Sequence, residues 1–129
     1  MNKTTFLREN SDSLIIVKAK IGIQNVHLAV DTGASHTVID LSTLIILGYF
    51  PENAVGSATF ETGRGNVDSL IFRLDGIFAM GELKRNFDVS AYDFLANGVL
   101  SEFEGVLGLD FFEGLKMCID FRESFITIT

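Results

Sequence analysis

The chain has 129 residues, 47% of them hydrophobic, with twelve Phe, one Pro and a formal charge of −7. That length admits one domain with a substantial core and no second one, and the apolar content sets it apart from disordered chains. The acidic balance works against a nucleic-acid surface, which needs clustered Lys and Arg, and two such chains together would carry −14 and repel strongly acidic substrates.

No apolar run approaches the eighteen or so residues of a membrane span, and residues 14–17 are too few for a signal-peptide core. The expected setting is the cytoplasm, with no membrane and no nucleic acid among the partners. The lone cysteine, Cys118, cannot close an internal disulfide, and its apolar surroundings at 115–121 suggest a buried packing residue.

Residues 1–12 are polar and form a segment apart from the domain at 13–129; they are either loosely held or lend a short strand around Phe6 and Leu7 to an interface. The β-prone stretch 13–21 turns through Gly22-Ile23-Gln24-Asn25 into the apolar strand 26–30, a hairpin in outline. That second strand stops on an acid and a tight turn, Asp31-Thr32-Gly33-Ala34-Ser35-His36-Thr37-Val38-Ile39. Residues 40–47 are expected to form a short helix capped by Asp40 and ended by Gly48, although Ile45-Ile46-Leu47 would suit a strand equally well.

From 58 onward, apolar-polar alternation broken by Gly-bearing turns indicates a mostly antiparallel β fold. The stretches 58–61 and 67–74 flank Thr62-Gly63-Arg64-Gly65-Asn66, the composition of a hairpin tip. Near the C-terminus stands Gly105-Val106-Leu107-Gly108-Leu109-Asp110-Phe111-Phe112, with a helix expected over 108–115 and Asp110 near its start, where an acid is favourable. The last segment, 121–129, alternates Phe125, Thr127 and Thr129 against Ile126 and Ile128; left unpaired it would be an exposed edge, so it is either a contact between two copies or an internal edge strand.

The apolar strand ending in Asp31-Thr32-Gly33-Ala34, followed by Thr37-Val38-Ile39, resembles the active-site strand and loop of the retropepsin-like aspartic proteases. The run 105–112 is similar to that family's second signature, two apolar residues and a Gly before a short helix, in the same order and separation. The tip at 62–65 stands where a retropepsin has its flap, and Leu74-Asp75-Gly76-Ile77, Gly81 and Asn86-Phe87-Asp88-Val89 resemble the next hairpin of bacterial stand-alone members. The resemblance implies a mostly β, single-domain, closed retropepsin-like barrel with one short C-terminal helix, active as a homodimer because each chain carries one such acid. It implies Asp31 as the catalytic acid, Thr32, Gly33 and Ala34 as its loop, and Thr62, Gly63, Arg64 and Gly65 as the flap. Ser35, His36, Val38, Val106 and Leu107 are candidate substrate contacts, the last three equally suited to the core. No metal or other cofactor is called for, and the implied substrate is a peptide or protein.

The chemistry follows from pairing two acids. Carboxylates held roughly 3 Å apart share one proton, so one acts as base toward a water between them while the other protonates the scissile carbonyl oxygen. A Gly directly after the reacting strand allows a close approach that a side chain would block. In the family the Thr hydroxyl bonds across to the partner's loop, and Thr32 matches that position. Ala34 stands where pepsin-like halves have Ser; it removes a hydroxyl that could stabilise the charged acid, which points to work at mildly acidic to near-neutral pH. The retroviral acid and Arg that pair beside the two signatures are here Ser35 and Leu109, lost together, so no buried charge is orphaned.

Other chemistries fit less well. Asp-Thr-Gly alone is ordinary turn chemistry. Ser35 and His36 are adjacent and point apart, and His27 lies four strand residues from Asp31, about 13 Å in an extended strand, which defeats a Ser-His-Asp arrangement. His27 is expected to be structural, and His36 either lines a subsite or faces solvent. The principal rival is the same fold used as an inactive peptide-binding or dimerisation module.

Overall fold

The computed structural model describes residues 2–6, 8, 10, 13–63, 65–94, 96 and 102–129. They form strands β1 (Asn2–Thr5), β2 (Ile16–Ile21), β3 (Gln24–Val30), β4 (Val38–Asp40), β5 (Gly56–Thr62), β6 (Gly65–Ala79), β7 (Glu82–Tyr92), β8 (Gly105–Leu107), β9 (Met117–Asp120) and β10 (Phe125–Ile128), with helices α1 (Leu41–Ile46) and α2 (Leu109–Phe112). The larger sheet runs β2-β3-β8-β4-β7-β6-β5, and β6 also pairs with β2, so six strands close into a barrel and β5 hangs outside on β6. This is the mostly β, closed barrel that the resemblance implied.

Turn chemistry sets the hairpins. Gly22, at φ 63, occupies the first position of the two-residue turn between β2 and β3, and Ile23 needs no positive φ, which is the pattern of a type II′ turn. Met80 and Gly81 both take positive φ between β6 and β7, as a type I′ turn requires. The twist of these turns matches that of the strands and fixes the register.

The fifteen-residue strand β6 changes phase halfway along. Phe72 and Leu74 point into the core, then Ile77 and Ala79, so the inward face slips by one residue between them. Opposite the slip, Asn86 takes φ 50, Asp75 and Asn86 form no bridge, and the Asp75 N–H donates to the Tyr49 hydroxyl at 3.1 Å instead. One strand thereby serves two partners, β5 along 65–71 and β2 along 77–79.

The core inside the barrel is built on Leu28, Ile39, Phe72, Leu74, Ile77, Leu107 and Phe111, each fully buried. Phe111 stacks edge-on to Phe87 and Phe112, with ring centroids 6.1 and 5.4 Å apart. Truncating it to Ala would cost about 3–5 kcal/mol.

Several expectations are corrected. The helix expected over 108–115 is one turn, Leu109–Phe112, because Gly114 takes φ 79 just beyond it. Helix α1 forms where expected, but Asp40 does not cap it through its side chain; the carboxylate accepts the Phe94 N–H at 3.2 Å and the Thr43 hydroxyl at 3.4 Å. The C-terminal strand is not an edge: β10 lies between β1 and β9 of the same chain, with Asn2 opposite Ile128 and Phe125 opposite Asp120. Its edge is therefore not left for a second copy. Cys118 is exposed, not buried, because neighbouring Met117 and Ile119 take the inward positions of β9 and alternation turns the thiol outward.

Candidate active site

Strands β3 and β8 run parallel, Val30 opposite Leu107, and β4 lies antiparallel to β8. Parallel neighbours were not legible in the alternation pattern, yet they bring the two glycine-bearing signatures together. Asp31 is the first residue beyond β3, and its N–H continues the ladder onto the Leu107 carbonyl at 3.0 Å. Its Oδ1 accepts the Gly33 N–H at 2.9 Å, and its carbonyl accepts the Ala34 N–H at 3.2 Å. Backbone groups thus aim a half-buried carboxylate out of the barrel end. A Cβ on Gly33 would sit 3.2 Å from that Oδ1, tighter than side chains normally tolerate.

The second signature supports the loop from beneath. The Leu109 N–H donates to the Ala34 carbonyl at 2.8 Å. Gly108 passes so close under the loop that a Cβ there would lie 2.5 Å from the His36 carbonyl carbon and 2.8 Å from the Ala34 oxygen. Thr37, fully buried, donates its hydroxyl to Asp110 Oδ1 at 2.7 Å and its N–H to both carboxylate oxygens at 3.0 Å, while its hydroxyl accepts the Gly108 N–H at 3.1 Å. The N-terminus of the short helix and the loop are in this way tied into one unit. His36, with its side chain 74% exposed, holds Nδ1 3.9 Å from Asp110 Oδ2 and pairs with it only when protonated.

Beside this loop opens a cleft of about 520 Å³, lined by Gly33, Ala34, Ser35, His36 and Val38, by Ala58, Thr59 and Glu61 of β5, and by Ser90 of β7. The β5–β6 hairpin forms its far wall, pairing from Gly56 opposite Ile71 to Thr62 opposite Gly65. Gly65 takes φ 101, the conformation for which the tip needs glycine. Arg64 lies outside the described residues. Five sequence candidates, Gly33, Ala34, Ser35, His36 and Val38, therefore meet around one cleft, and Thr32 is exposed on the loop. His36 lines the cleft and faces solvent.

Other candidates lie elsewhere. Leu107 is fully buried and belongs to the core, and only its carbonyl serves the loop. Val106 pairs with Ala29 and Val38 and does not line the cleft. The His27 side chain is exposed on β3; its backbone takes the structural part, accepting the Glu104 N–H at 2.8 Å and donating to Glu104 Oε2 at 3.2 Å. No local pattern marks Glu61, Thr59 or Ser90 as cleft residues, or the Thr37–Asp110 pairing. Among the described residues no three His, Cys, Asp or Glu side chains are grouped to hold a metal ion, and no helix is long and apolar enough to cross a membrane.

A closed barrel carrying one Asp-Thr-Gly-Ala loop, propped by a Gly-Leu-Asp turn from a parallel strand, defines a retropepsin-like protein. The family described as Aspartyl protease matches residues 17–111, and the chain belongs to it. In three dimensions it is similar to the crystal structure of a retropepsin-like aspartic protease from Rickettsia conorii, with a TM-score of 0.70 over 96% of this chain and 87% of that one. The two are 20% identical, so this likeness speaks for the fold. No curated protein sequence matches.

Proposed function

We propose that the chain is an aspartic endopeptidase that works as a homodimer, each copy contributing one Asp31. The observation that carries this is the setting of Asp31: its backbone N–H is anchored on the Leu107 carbonyl and its carboxylate accepts the Gly33 N–H, beside a cleft wide enough for a peptide side chain. One chain supplies a single acid there, and the chemistry needs two.

In the dimer one Asp31 takes a proton from a water held between the pair, the water attacks the scissile carbonyl, and the other Asp31 protonates the carbonyl oxygen. Collapse of the tetrahedral intermediate returns the proton to the leaving amine. Thr32, exposed on the loop, bonds across to the partner's loop in this reading, and Gly33 and Ala34 complete the turn that carries the carboxylate. The β5–β6 hairpin, with Thr62, Gly63 and Gly65 at its tip, covers an extended substrate bound as an added strand. The chain needs no cofactor for this, and the cytoplasm is its proposed setting.

The test is cleavage of a mixed peptide library by wild type and Asp31→Asn between about pH 4 and pH 8, the range around the upper step of a paired acid, with sedimentation to follow association. Cleavage by a dimeric wild type and none by the variant is expected. If both proteins are folded dimers and neither cuts, the fold serves as a peptide-binding or dimerisation module.

A further inference from the structure

We infer that the cleft beside the Asp31 loop selects a cationic substrate side chain, Lys or Arg, and that Glu61 on β5 is the residue that sets this preference. The inference rests on the peptidase reading for its substrate, and it goes beyond that reading in naming the side chain the cleft takes.

Three observations lead to it. First, the lining is graded: Ala34, Val38 and Ala58 offer apolar wall, while Ser35, Thr59 and Ser90 offer hydroxyl-bearing residues. A long aliphatic stem with a polar head suits such a cleft, because the stem removes apolar surface from water and the head stays solvated. Second, the charge is of one sign. With His36 neutral, Glu61 is the only formally charged residue among the described residues lining the cleft, and no Lys or Arg is among them. Third, the neighbouring charges reinforce it. Gly33, which lines the cleft, holds the Asp31 carboxylate at 2.9 Å, and Asp110 lies 3.9 Å from His36. A substrate carboxylate would meet Glu61 in the cleft with two further acids beside its lining, and a substrate ammonium or guanidinium would be drawn in.

Glu61 is also well placed to discriminate rather than to build the fold. It is exposed, on the strand that lies outside the closed barrel, opposite Asn66. Changing its charge leaves the core untouched.

The test uses fluorescein-labelled octapeptides of a neutral Ala, Val and Phe host in which Lys, norleucine or Glu is moved through each position. Norleucine keeps the Lys stem and removes its charge. Binding is measured by anisotropy to Asp31→Asn protein, so that cleavage does not intervene, with Glu61, Glu61→Gln or Glu61→Lys in that background. At one peptide position Lys is expected to bind about 1.5-fold to fivefold more tightly than norleucine, the range of a partly solvated ion pair, and Glu more weakly than either. Glu61→Gln brings Lys and norleucine together at that position, and Glu61→Lys favours Glu. Equal binding of Lys and norleucine everywhere, a Lys preference that survives Glu61→Gln, or no binding of any peptide overturns the inference. Protein with Asp31 intact is tested for cleavage of the same peptides. Cleavage without a Lys preference removes the inference and keeps the peptidase; a Lys preference with no cleavage keeps the inference and removes the peptidase.

Discussion

Thr37 and Asp110, seventy-three positions apart in sequence, are joined by three hydrogen bonds: the Thr37 hydroxyl donates to Asp110 Oδ1 at 2.7 Å while its N–H reaches both carboxylate oxygens at 3.0 Å. Since Thr37 is fully buried, losing the acceptor leaves a hydroxyl and an amide without water to replace it. Asp110→Ala is expected to lower stability by about 3 kcal/mol, as charge-assisted hydrogen bonds to a buried donor do. Asp110→Asn, which keeps one acceptor oxygen, should lose about half as much on the same scale. His36→Ala should fall within about 0.5 kcal/mol of wild type, because its contact to Asp110 is solvent-exposed. Urea unfolding of the three variants checks the order.

Gly108 and Gly63 make a contrasting pair. An added methyl at Gly108 would lie 2.5 and 2.6 Å from the His36 carbonyl carbon and oxygen, and backbone cannot swing aside as a side chain tip can. Gly108→Ala should therefore cost about 3 kcal/mol or more, the upper range for overpacking, and push the Ala34 to His36 loop outward. At the hairpin tip, Gly63 has nothing within 4 Å of where a Cβ would stand. Gly63→Ala should change stability by less than about 0.5 kcal/mol. Thermal melts together with amide exchange of the Leu109 N–H, which bonds the Ala34 carbonyl, distinguish the two outcomes.

The sequence made much of this visible, and particular residues show why the rest was not. Strand β3 and its Asp31 turn, the hairpin around 62–65 and helix α1 all follow from local pattern, where each residue's neighbours in sequence are its neighbours in space. The parallel pairing of β3 with β8 joins residues seventy-seven apart, such as Ala29 and Val106, and no local period records that. Thr37 is a small polar residue whose partner sits across the same junction, so its burial was equally hidden. Cys118 and β10 depend on strand pairing that no local pattern shows. Apolar neighbours in sequence do not bury Cys118, because β9 presents alternate residues outward, and the alternation of β10 does not record that β1 and β9 cover both its sides. Asp110 was legible only as an acid at a helix start; its role came from what lay opposite.

Arg73 and Asp88 face each other across β6 and β7, Nε to Oδ1 at 2.8 Å and a terminal guanidinium nitrogen to Oδ2 at 3.1 Å. The hydrogen bond from Arg73 holds the Asp88 carboxyl below its ordinary value, partly opposed by desolvation. A carboxyl depressed in the folded chain stabilises it above the unfolded value, near pH 3.9, and loses that contribution as pH falls through the folded one. Wild type should thus exceed Arg73→Gln in urea midpoint at neutral pH, with the gap closing below about pH 4. Both side chains are about half exposed, so the gap should also narrow in high salt. A constant gap from pH 7 to strong acid would show that Arg73 acts through packing of its stem instead.

Cys118 offers a readout of the terminal sheet. It stands on β9 opposite Thr127, on a strand whose other neighbour within the sheet is absent among the described residues, and its thiol is exposed. In the folded monomer it should react fully with a maleimide at neutral pH, with no lag for unfolding. If the dimer forms through the free side of β9, an added strand there would cover the thiol, and labelling would slow as protein concentration rises. Labelling that stays fast at every concentration, in protein shown by sedimentation to be dimeric, would place the contact away from β9 and turn attention to the barrel end that carries Thr32 and Leu109, where Leu109 leaves 48% of its surface exposed beside the Asp31 loop.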